Sequence, residues 1–391
     1  MLIRDRPTVV LYATFVLTGV VTTLLGPALP VLVSWWGLDD GRAGLLFAAQ
    51  FVGSMLGSAL SSVGMTRFGF RSTLVAGVVL IAAGVGVLGL GAHAIGTIAI
   101  FSYGVGLGLT IPTTNLYVAQ ASGATRASAL NVLNLAWGAG AVAAPPVVAL
   151  FQRSDNTRVF LFVLAAALLL MAVPLARIVE PHGSGARHEP ERITPAHAIR
   201  SGGGTLMFGA MLFLYVGTET SVAGWVALYA RRLEVIPATL SLAIPSLFWA
   251  TLLAGRAAAP VVLRWMPESR LLGAGLLLAT AGVSALLVAR SAAVLAVAVA
   301  IGGLGLSTIF PLTVARFTRD LDRAAARAAG PIFVLAGLGG AVLPPLVGII
   351  STQSGSLTAG LFVPLFGCLA MFVTLYRIGA RTVPAAWEQK L

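Results

Sequence analysis

The residue best suited to chemistry is Glu219, the only carboxylate inside any of the long apolar stretches of this chain. Tyr215 lies four residues earlier, so an α-helix would place both side chains on one face. Such a carboxylate could bind and release a proton, or it could accept hydrogen bonds from ligand hydroxyl groups. An ionised carboxylate deep in a bilayer costs at least about 2.5–3.5 kcal/mol and usually marks a ligand or ion pathway. A fixed ion pair or a bond between helices is the structural alternative.

Amide and aromatic side chains recur in other apolar stretches. Asn131, Asn134 and Trp137 are three residues apart, which predicts one stripe on a helix. Flat aromatic rings beside amide or carboxylate groups can together bind a ligand that has both apolar and polar surfaces. Core packing, an interfacial belt or helix–helix bonds are the alternatives, and they fit Asn131 and Tyr229 better. The ligand-binding residues predicted from these patterns are Glu219, Trp137, Asn134, Tyr215, Trp225, Gln50 and Trp249, with Glu219 also the predicted proton-coupling residue.

A second group of residues is predicted to have structural or gating roles. Arg256 lies about 12 Å from the end of its stretch, from which it can snorkel to the interface. Pairing with Glu219 would span about 9 Å of depth, which is at the limit of its reach. Prolines inside helices remove backbone donors and can shape gates. The predicted members of this group are Arg256, Arg67, Arg71, Pro145 and Pro344.

Enzyme, metal and nucleic-acid functions are not expected. All four histidines lie outside the apolar stretches, no two acidic groups share a stretch, and Cys368 is the single cysteine. Catalytic residues, a metal site and a cofactor are therefore not predicted. The net charge is +12, but the arginines lie in short segments between apolar runs, which argues against a nucleic-acid surface.

The composition is that of a membrane protein, with 58% hydrophobic and 10% charged residues, whereas soluble domains carry about 25% charged residues. Several apolar runs exceed the roughly 20 residues that cross a bilayer. Twelve transmembrane helices are predicted, at 9–36, 43–65, 72–91, 95–119, 128–150, 159–178, 205–230, 238–263, 271–289, 292–315, 330–351 and 357–376. The predicted domains are a six-helix bundle over 1–178, a cytoplasmic linker over 179–204 and a second six-helix bundle over 205–391.

The distribution of basic residues predicts the orientation. The side that holds both termini carries eighteen of the 25 Lys and Arg residues, the opposite side carries six, and Arg256 lies within a stretch. Because basic loops stay in the cytoplasm, both termini and the linker are predicted to be cytoplasmic. The expected location is the inner membrane of a bacterium.

The chain contains an internal repeat. The segment 106–112 returns as 303–311, and the segment 138–146 returns as 337–345 with identical Gly and Pro spacing, at offsets of 197 to 199 residues. An even number of helices per copy means that the copies share one orientation. The prediction is therefore an all-α membrane fold of two parallel six-helix repeats, an arrangement typical of transporters with a ligand site between the halves.

Residues 214–225, which read Leu-Tyr-Val-Gly-Thr-Glu-Thr-Ser-Val-Ala-Gly-Trp, resemble the helix 7 signature of the fucose–galactose–glucose:proton symporter family. The segments 112–115, 130–140 and 255–256 are similar to the same family, and the first of these implies that Asn115 is a further ligand-binding residue. The resemblance implies the major facilitator fold and a small sugar or polyol substrate. The sequence departs from the family pattern at three places. Two concern proton coupling, since residues 9–36 contain no acidic residue and Ile111 stands where one member has glutamate. The third is in the loop after helix 2, where Thr66 replaces the usual aspartate.

The expected function is import of a monosaccharide or related polyol, coupled to protons, by rocking of the two halves in a monomer. Export of amphipathic drugs or metabolites is one alternative on the same fold. An uncoupled or sodium-linked sugar transporter is another, and a receptor or scaffold without transport is a third. The expected partners are the small-molecule substrate, a proton or sodium ion, and the lipid bilayer.

Overall fold

The computed structural model describes residues 6–179, 202–321 and 325–382, and these residues form α-helices with one short 3-10 turn at Gly123–Thr125. We number the membrane crossings as spans 1 to 12. The first half contains span 1 (Arg6–Thr23 and Leu25–Trp36), spans 2 and 3 (together Asp40–Leu88), span 4 (His93–Ala121), span 5 (Arg126–Arg153) and span 6 (Thr157–Leu175).

The second half repeats this order. It contains span 7 (Gly202–Leu233), span 8 (Ala238–Ser241 and Ile244–Val262), span 9 (Glu268–Leu287), span 10 (Ala292–Leu306 and Ile309–Leu321), span 11 (Ala325–Ser354) and span 12 (Leu357–Gly360 and Phe362–Thr382). The predicted linker, 179–204, falls almost entirely outside the described residues. The predicted domain boundaries remain predictions.

Length and apolarity identify nine helices that could cross a membrane, or ten with the bent pair of span 1, among the residues that the structure describes. Two further crossings complete the twelve. Asp40–Leu88 has 49 residues, which would be about 74 Å long if straight, more than twice the bilayer core. Ile244–Val262 has 19 residues, enough for one crossing, although it carries Arg256. The prediction of twelve helices in two repeats is confirmed.

The chain turns between spans 2 and 3 at Gly69, where the sequence predicted a loop over 66–71. Gly69 has φ 83°, in the region that favours glycine, and helix continues on both sides of it. Gly64 touches the side chain of Thr73, nine residues later, which a straight helix would separate by about 13.5 Å. We call the end of the bundle at this turn the Arg67 end, and the opposite end, where span 2 begins, the Asp40 end.

Span 1, which the sequence predicted over 9–36, is a bent helix. It bends by 47° at Leu24. Pro27 has no N–H to bond the carbonyl of Thr23, and the hydroxyl groups of Thr18 and Thr22 donate to carbonyls four residues earlier, at 2.9 and 2.7 Å. Such hydroxyl bonds often bend helices, so the bend has a local cause in the sequence.

The two halves pack in the same way inside. In the first half, Gly140 of span 5 lies directly against the carbonyl of Val16 of span 1. In the second half, Gly339 of span 11 lies against the carbonyl of Phe213 of span 7 in the same manner. Small residues allow this backbone approach, which apolar lipid would not otherwise drive. The glycine spacing of the repeat therefore has a packing reason.

Hydrogen bonds join the two halves toward the Asp40 end. They link span 1 to span 7, span 2 to spans 7 and 11, and span 5 to span 8. The pairs are Arg231 with Pro30, Arg232 with Asp40, Ser351 with Asp40, Gly41 with Thr352, and Ser246 with Val142.

Candidate functional site

Glu219 is the centre of a polar cluster formed by spans 7 and 8. The Tyr215 hydroxyl donates to Glu219 Oε1 at 2.5 Å. Arg256 Nη2 lies 3.3 Å from the same oxygen and 3.0 Å from the Tyr215 hydroxyl. The side chain of Glu219 is 14% exposed and that of Arg256 is 32% exposed, so the ion pair is not sealed from small molecules.

Arg256 and Glu219 form an ion pair at 3.3 Å, although the sequence placed their backbones about 9 Å apart in depth. Helical side chains tilt toward the N-terminus of their own helix. Spans 7 and 8 run in opposite directions, so Glu219 tilts toward the Arg67 end and Arg256 tilts toward the Asp40 end. The two side chains therefore lean toward each other and close the gap of about 9 Å that backbone positions alone would leave.

Span 10 is broken where it meets this cluster, since one helix ends at Leu306 and the next begins at Ile309. The carbonyl of Ser307 would normally accept from the N–H four residues later, but that residue is Pro311, which has none. Arg256 Nε donates to this carbonyl at 3.3 Å instead. The arginine thus ties the carboxylate of span 7 to the break in span 10.

A second polar cluster lies in the first half, around Thr22 of span 1. Trp137 Nε1 donates to the Thr22 hydroxyl at 3.4 Å, and Gln50 Nε2 donates to the Thr22 carbonyl at 3.0 Å. The Tyr103 hydroxyl donates to Gln50 Oε1 at 3.0 Å. Gln50 and Tyr103 are buried, whereas Thr22 and Trp137 are half-buried. Two predicted site residues, Gln50 and Trp137, therefore meet at a threonine that the sequence analysis did not single out.

Aromatic rings lie beside both clusters. Trp137 of span 5 and Trp249 of span 8 meet edge to face, with ring centroids 5.8 Å apart. Trp249 precedes Arg256 by seven residues, which places both on one face of span 8. On the other side of the ion pair, the ring of Tyr215 lies 5.6 Å from that of Phe310, just beyond the break in span 10.

The two predicted asparagines are accessible but bond within their own helices. Asn134 is exposed and donates from Nδ2 to the Leu130 carbonyl, and half-buried Asn115 donates to the Ile111 carbonyl, both at 2.9 Å. These bonds are not to Glu219 or Arg256. Their role as ligand contacts remains a prediction.

Trp225 lies away from the open part of the site. It is fully buried, its Nε1 donates to the Pro344 carbonyl at 3.0 Å, and its ring lies 6.1 Å from that of Phe47 in the first half. A ligand could reach this indole only if the halves separated at the Asp40 end. Pro344 is thus a partner of Trp225.

The remaining predicted gating residues lie apart from the Glu219 cluster. Pro145 is buried within span 5, and Arg67 and Arg71 are exposed on either side of the Gly69 turn. Arg71 lines a cleft of about 520 Å³ on span 3, and a second cleft of about 470 Å³ lies beside it. Glu219 lines neither cleft.

The sequence analysis missed another carboxylate, which is more deeply buried than Glu219. Asp40 begins span 2, is only 6% exposed, and pairs with Arg232 at 2.6 Å. The predicted spans began at 43 and ended at 230, so both residues were assigned to loops. The signal was present, because the acidic pair 39–40 and the basic pair 231–232 were predicted at the same end of the bundle. Within the described ranges, no three His, Cys, Asp or Glu residues gather as metal ligands.

Solved structures share this fold at low sequence identity. The nucleoside transporter NupG aligns with a TM-score of 0.78 at 12% identity, covering 96% of this chain and 99% of that chain. A D-xylose–proton symporter aligns with a TM-score of 0.78 at 16% identity, covering 94% and 96%. A single-residue variant of the E. coli fucose:proton symporter FucP aligns with a TM-score of 0.65 at 17% identity, covering 95% and 98%.

Sequence comparison gives the family directly. No curated protein matches the sequence. Residues 11–289, more than two thirds of the chain, match the model of the Major Facilitator Superfamily. The chain therefore belongs to the Major Facilitator Superfamily and is a multi-pass membrane transporter rather than an enzyme.

Proposed function

We propose that this protein is a secondary transporter that carries a monosaccharide or related polyol inward together with a proton, by alternating access. The observation that carries the proposal is the partly exposed Glu219, bonded to Tyr215 and Arg256. The names of two structural neighbours, a D-xylose–proton symporter and a fucose:proton symporter, support the same substrate class.

The charge balance of the site favours an uncharged ligand. Glu219 and Arg256 carry opposite charges and lie 3.3 Å apart, so together they add no net charge for a ligand to neutralise. The first-half cluster around Thr22 and Trp137 is also uncharged. A ring with hydroxyl groups at its rim and C–H groups on its faces matches carboxylate and guanidinium on one side and indole on the other.

The same ion pair supplies a means of coupling to protons. A proton on a Glu219 oxygen removes the charge that attracts Arg256. The guanidinium would keep its hydrogen bonds to the Ser307 carbonyl and the Tyr215 hydroxyl. Without the attraction of the carboxylate, the guanidinium would move toward the break in span 10. Loss of the proton on the other side of the membrane would restore the ion pair. Protonation would thus bias the position of one helix segment against another.

The proposed orientation places both termini, and therefore the Arg67 end, in the cytoplasm of a bacterium, with the chain in the inner membrane. The proposed domains are those of the sequence analysis, two six-helix bundles joined by the 179–204 linker. With this orientation, the bonds between the halves at the Asp40 end close the site to the outside. The structure would then be the inward-facing state of a monomeric transporter.

The test is Glu219→Gln, which keeps shape and hydrogen bonding but cannot release a proton. Uptake of labelled L-fucose, D-xylose, D-glucose and uridine into proteoliposomes is measured as exchange and as accumulation driven by a pH gradient, together with the melting temperature. We expect exchange to survive and accumulation to vanish. The matched control is Glu234→Gln, the same change at an exposed residue just after span 7.

The other outcomes separate the alternatives. Normal accumulation by the Glu219→Gln variant rules out Glu219 as the proton carrier and favours a sodium-linked or uncoupled mechanism. Loss of exchange and accumulation together, at an unchanged melting temperature, assigns Glu219 to substrate binding alone. Failure of the wild type to take up any of the three sugars refutes the proposed substrate class, and failure with uridine as well favours an exporter.

A further inference from the structure

Spans 1 and 7 are equivalent helices, and their contacts fix which residues correspond. Gly140 lies against the carbonyl of Val16, and Gly339 lies against the carbonyl of Phe213. Val16 and Phe213 are 197 residues apart. At this offset the counterpart of Glu219 in span 7 is Thr22 in span 1, six residues after Val16 as Glu219 is six residues after Phe213.

The crossing point of the two helices supports the same register. Gly26 of span 1 lies directly against the carbonyl of Ala223 of span 7, and these two residues are also 197 apart. Residues that correspond by the repeat and also touch each other must lie on the pseudo-two-fold axis that relates the halves. Thr22 and Glu219 each precede this contact by four residues, so they lie at equal depth, about 6 Å from the crossing.

Both side chains also share the face of the helix that holds the crossing residue, because residues four apart lie above one another. The 47° bend of span 1 lies between Thr22 and Gly26 and tilts one part of the helix against the other, while Leu24 itself keeps helical backbone angles, with φ −57° and ψ −41°, so the order of side chains around the helix is kept. Thr22 and Glu219 therefore belong to opposite walls of one space, just on the Arg67 side of the crossing.

The chemistry of the two walls differs. Glu219 is held by Arg256, whereas Thr22 donates its hydroxyl hydrogen to the Thr18 carbonyl at 2.7 Å. The Thr22 oxygen can still accept hydrogen bonds. The Trp137 indole donates to it, but at the long distance of 3.4 Å. Thr22 is half-buried, so a ligand hydroxyl could donate to it.

We propose that Thr22 is a specificity-determining residue, the uncharged counterpart of Glu219 across the pseudo-two-fold axis, which accepts a hydrogen bond from a hydroxyl group of the transported ring. This inference rests on the proposed sugar or polyol transport. It adds a contact from span 1, the helix in which the sequence analysis found no ligand-binding residue. Trp137 then holds the Thr22 hydroxyl in place and offers its own ring to the same ligand.

The functional test compares Thr22→Val with Thr22→Ser. Valine keeps the shape and removes the acceptor, whereas serine keeps the hydroxyl. For whichever of L-fucose, D-xylose and D-glucose the wild type takes up, we expect KM to rise about three- to tenfold in Thr22→Val, the loss of one hydrogen bond. We expect it to stay within about twofold in Thr22→Ser. The matched control is Thr23→Val, which removes the next hydroxyl along the helix, one that donates to Gly19 and is buried.

The geometry is tested separately, without a ligand. In a Cys368→Ala background, the pair Thr22→Cys and Glu219→Cys is treated with a short bifunctional methanethiosulfonate. We expect cross-linking of this pair but not of Thr23→Cys with Thr220→Cys, the neighbouring equivalent positions, which are rotated by about 100° on each helix. No cross-link in the first pair would refute the shared space.

The outcomes distinguish this inference from the proposed function. If the wild type accumulates a sugar and Thr22→Val leaves its KM unchanged, the role of Thr22 is refuted while sugar transport stands. A fall in melting temperature and maximal rate at constant KM would likewise refute it, because that is the signature of a packing residue. If the wild type transports none of the sugars, the substrate class fails, and with it the assignment of Thr22 to a sugar hydroxyl.

Discussion

Asp40 of span 2 and Arg232 of span 7 form a two-pronged ion pair, with each carboxylate oxygen 2.6 Å from a guanidinium nitrogen. Fork-to-fork pairs of this kind are among the stronger polar contacts in proteins. Ser351 of span 11 donates a further hydrogen bond to Asp40, which is 6% exposed. One carboxylate from the first half thus holds two helices of the second half.

We expect Asp40→Asn to loosen the Asp40 end. The amide keeps the size of the side chain but loses the charge, and a lost charged hydrogen bond at a buried residue costs about 1–3 kcal/mol. The population open at this end should rise roughly fivefold or more. The measurement is alkylation of Phe47→Cys, a buried position beside Trp225, in a Cys368→Ala background.

Asp39→Asn is the matched control for that variant. Asp39 is exposed, pairs with Arg42 within its own half and caps span 2, and asparagine caps helices equally well. Equal alkylation rates in the two variants would show that the ion pair does not keep this end closed.

The orientation is tested with single cysteines at positions 190 and 155. We expect Asp155→Cys to react with an impermeant thiol reagent in intact cells and Pro190→Cys to react only after permeabilisation, because the arginine-rich loops are predicted to be cytoplasmic. Reaction of position 190 in intact cells would reverse the proposed topology. The closed end would then face the cytoplasm.

Alanine substitutions of the two tryptophans predicted as ligand contacts should affect different properties, substrate affinity for one and stability for the other. Trp137 is half-buried beside Trp249, so Trp137→Ala should raise the substrate KM. Trp225 is fully buried between the halves, so Trp225→Ala should lower the melting temperature, because truncating a large buried aromatic residue typically costs roughly 3–5 kcal/mol of stability. A rise in KM with unchanged stability in Trp225→Ala would instead make Trp225 a ligand contact.

The repeated glycines should be intolerant of even a methyl group. A Cβ on Gly140 or Gly339 would collide with a backbone carbonyl, so Gly140→Ala and Gly339→Ala should each lower the melting temperature by several degrees. Gly273→Ala is the control, since a Cβ there meets no atom within 4 Å and alanine favours helix by about 1 kcal/mol. Equal stability in all three variants would contradict the close packing of spans 1 and 5.

The twelve spans and the repeat were predictable because their signals are local in sequence. Apolar length marks a crossing wherever it occurs, and Gly140 recurs as Gly339 because the same backbone approach occurs twice. The turn at Gly69 was harder to predict. A single glycine with positive φ reverses the chain there, and the polar residues around it resemble an ordinary loop.

The pairings within the site could not be predicted in the same way. Asp40 and Arg232 are 192 residues apart; the predicted topology places both at one end of the bundle, but it does not reveal which helix ends meet there. Arg256 reaches Glu219 because spans 7 and 8 run in opposite directions, so that the two side chains lean toward each other. The depth estimated from the sequence counted residues along each helix and did not include this tilt. Thr22 carried no signal by type, because threonine is common in membrane helices; its correspondence to Glu219 follows from the contacts of Gly140, Gly339 and Gly26.

Arg256 provides the sharpest test of coupling between the ion pair and span 10. Its guanidinium bonds Glu219 and Tyr215 through Nη2 and the Ser307 carbonyl through Nε, on two different sides of one planar group. Lysine carries the same charge at a single point and cannot reproduce that fork. We expect Arg256→Lys to keep exchange near the wild-type rate but to lower pH-driven accumulation about tenfold. Arg256→Gln should lose accumulation entirely.

The control and the double variant decide the mechanism. Arg153→Gln removes an exposed charge at the end of span 5 and should leave both activities unchanged. If Arg256 acts through Glu219, the double variant Glu219→Gln with Arg256→Gln should be no worse than either single variant, because residues that act as one unit are not additive. Additive losses would mean that Arg256 serves span 10 independently of the carboxylate. Wild-type accumulation by Arg256→Gln would remove the ion pair from the coupling mechanism.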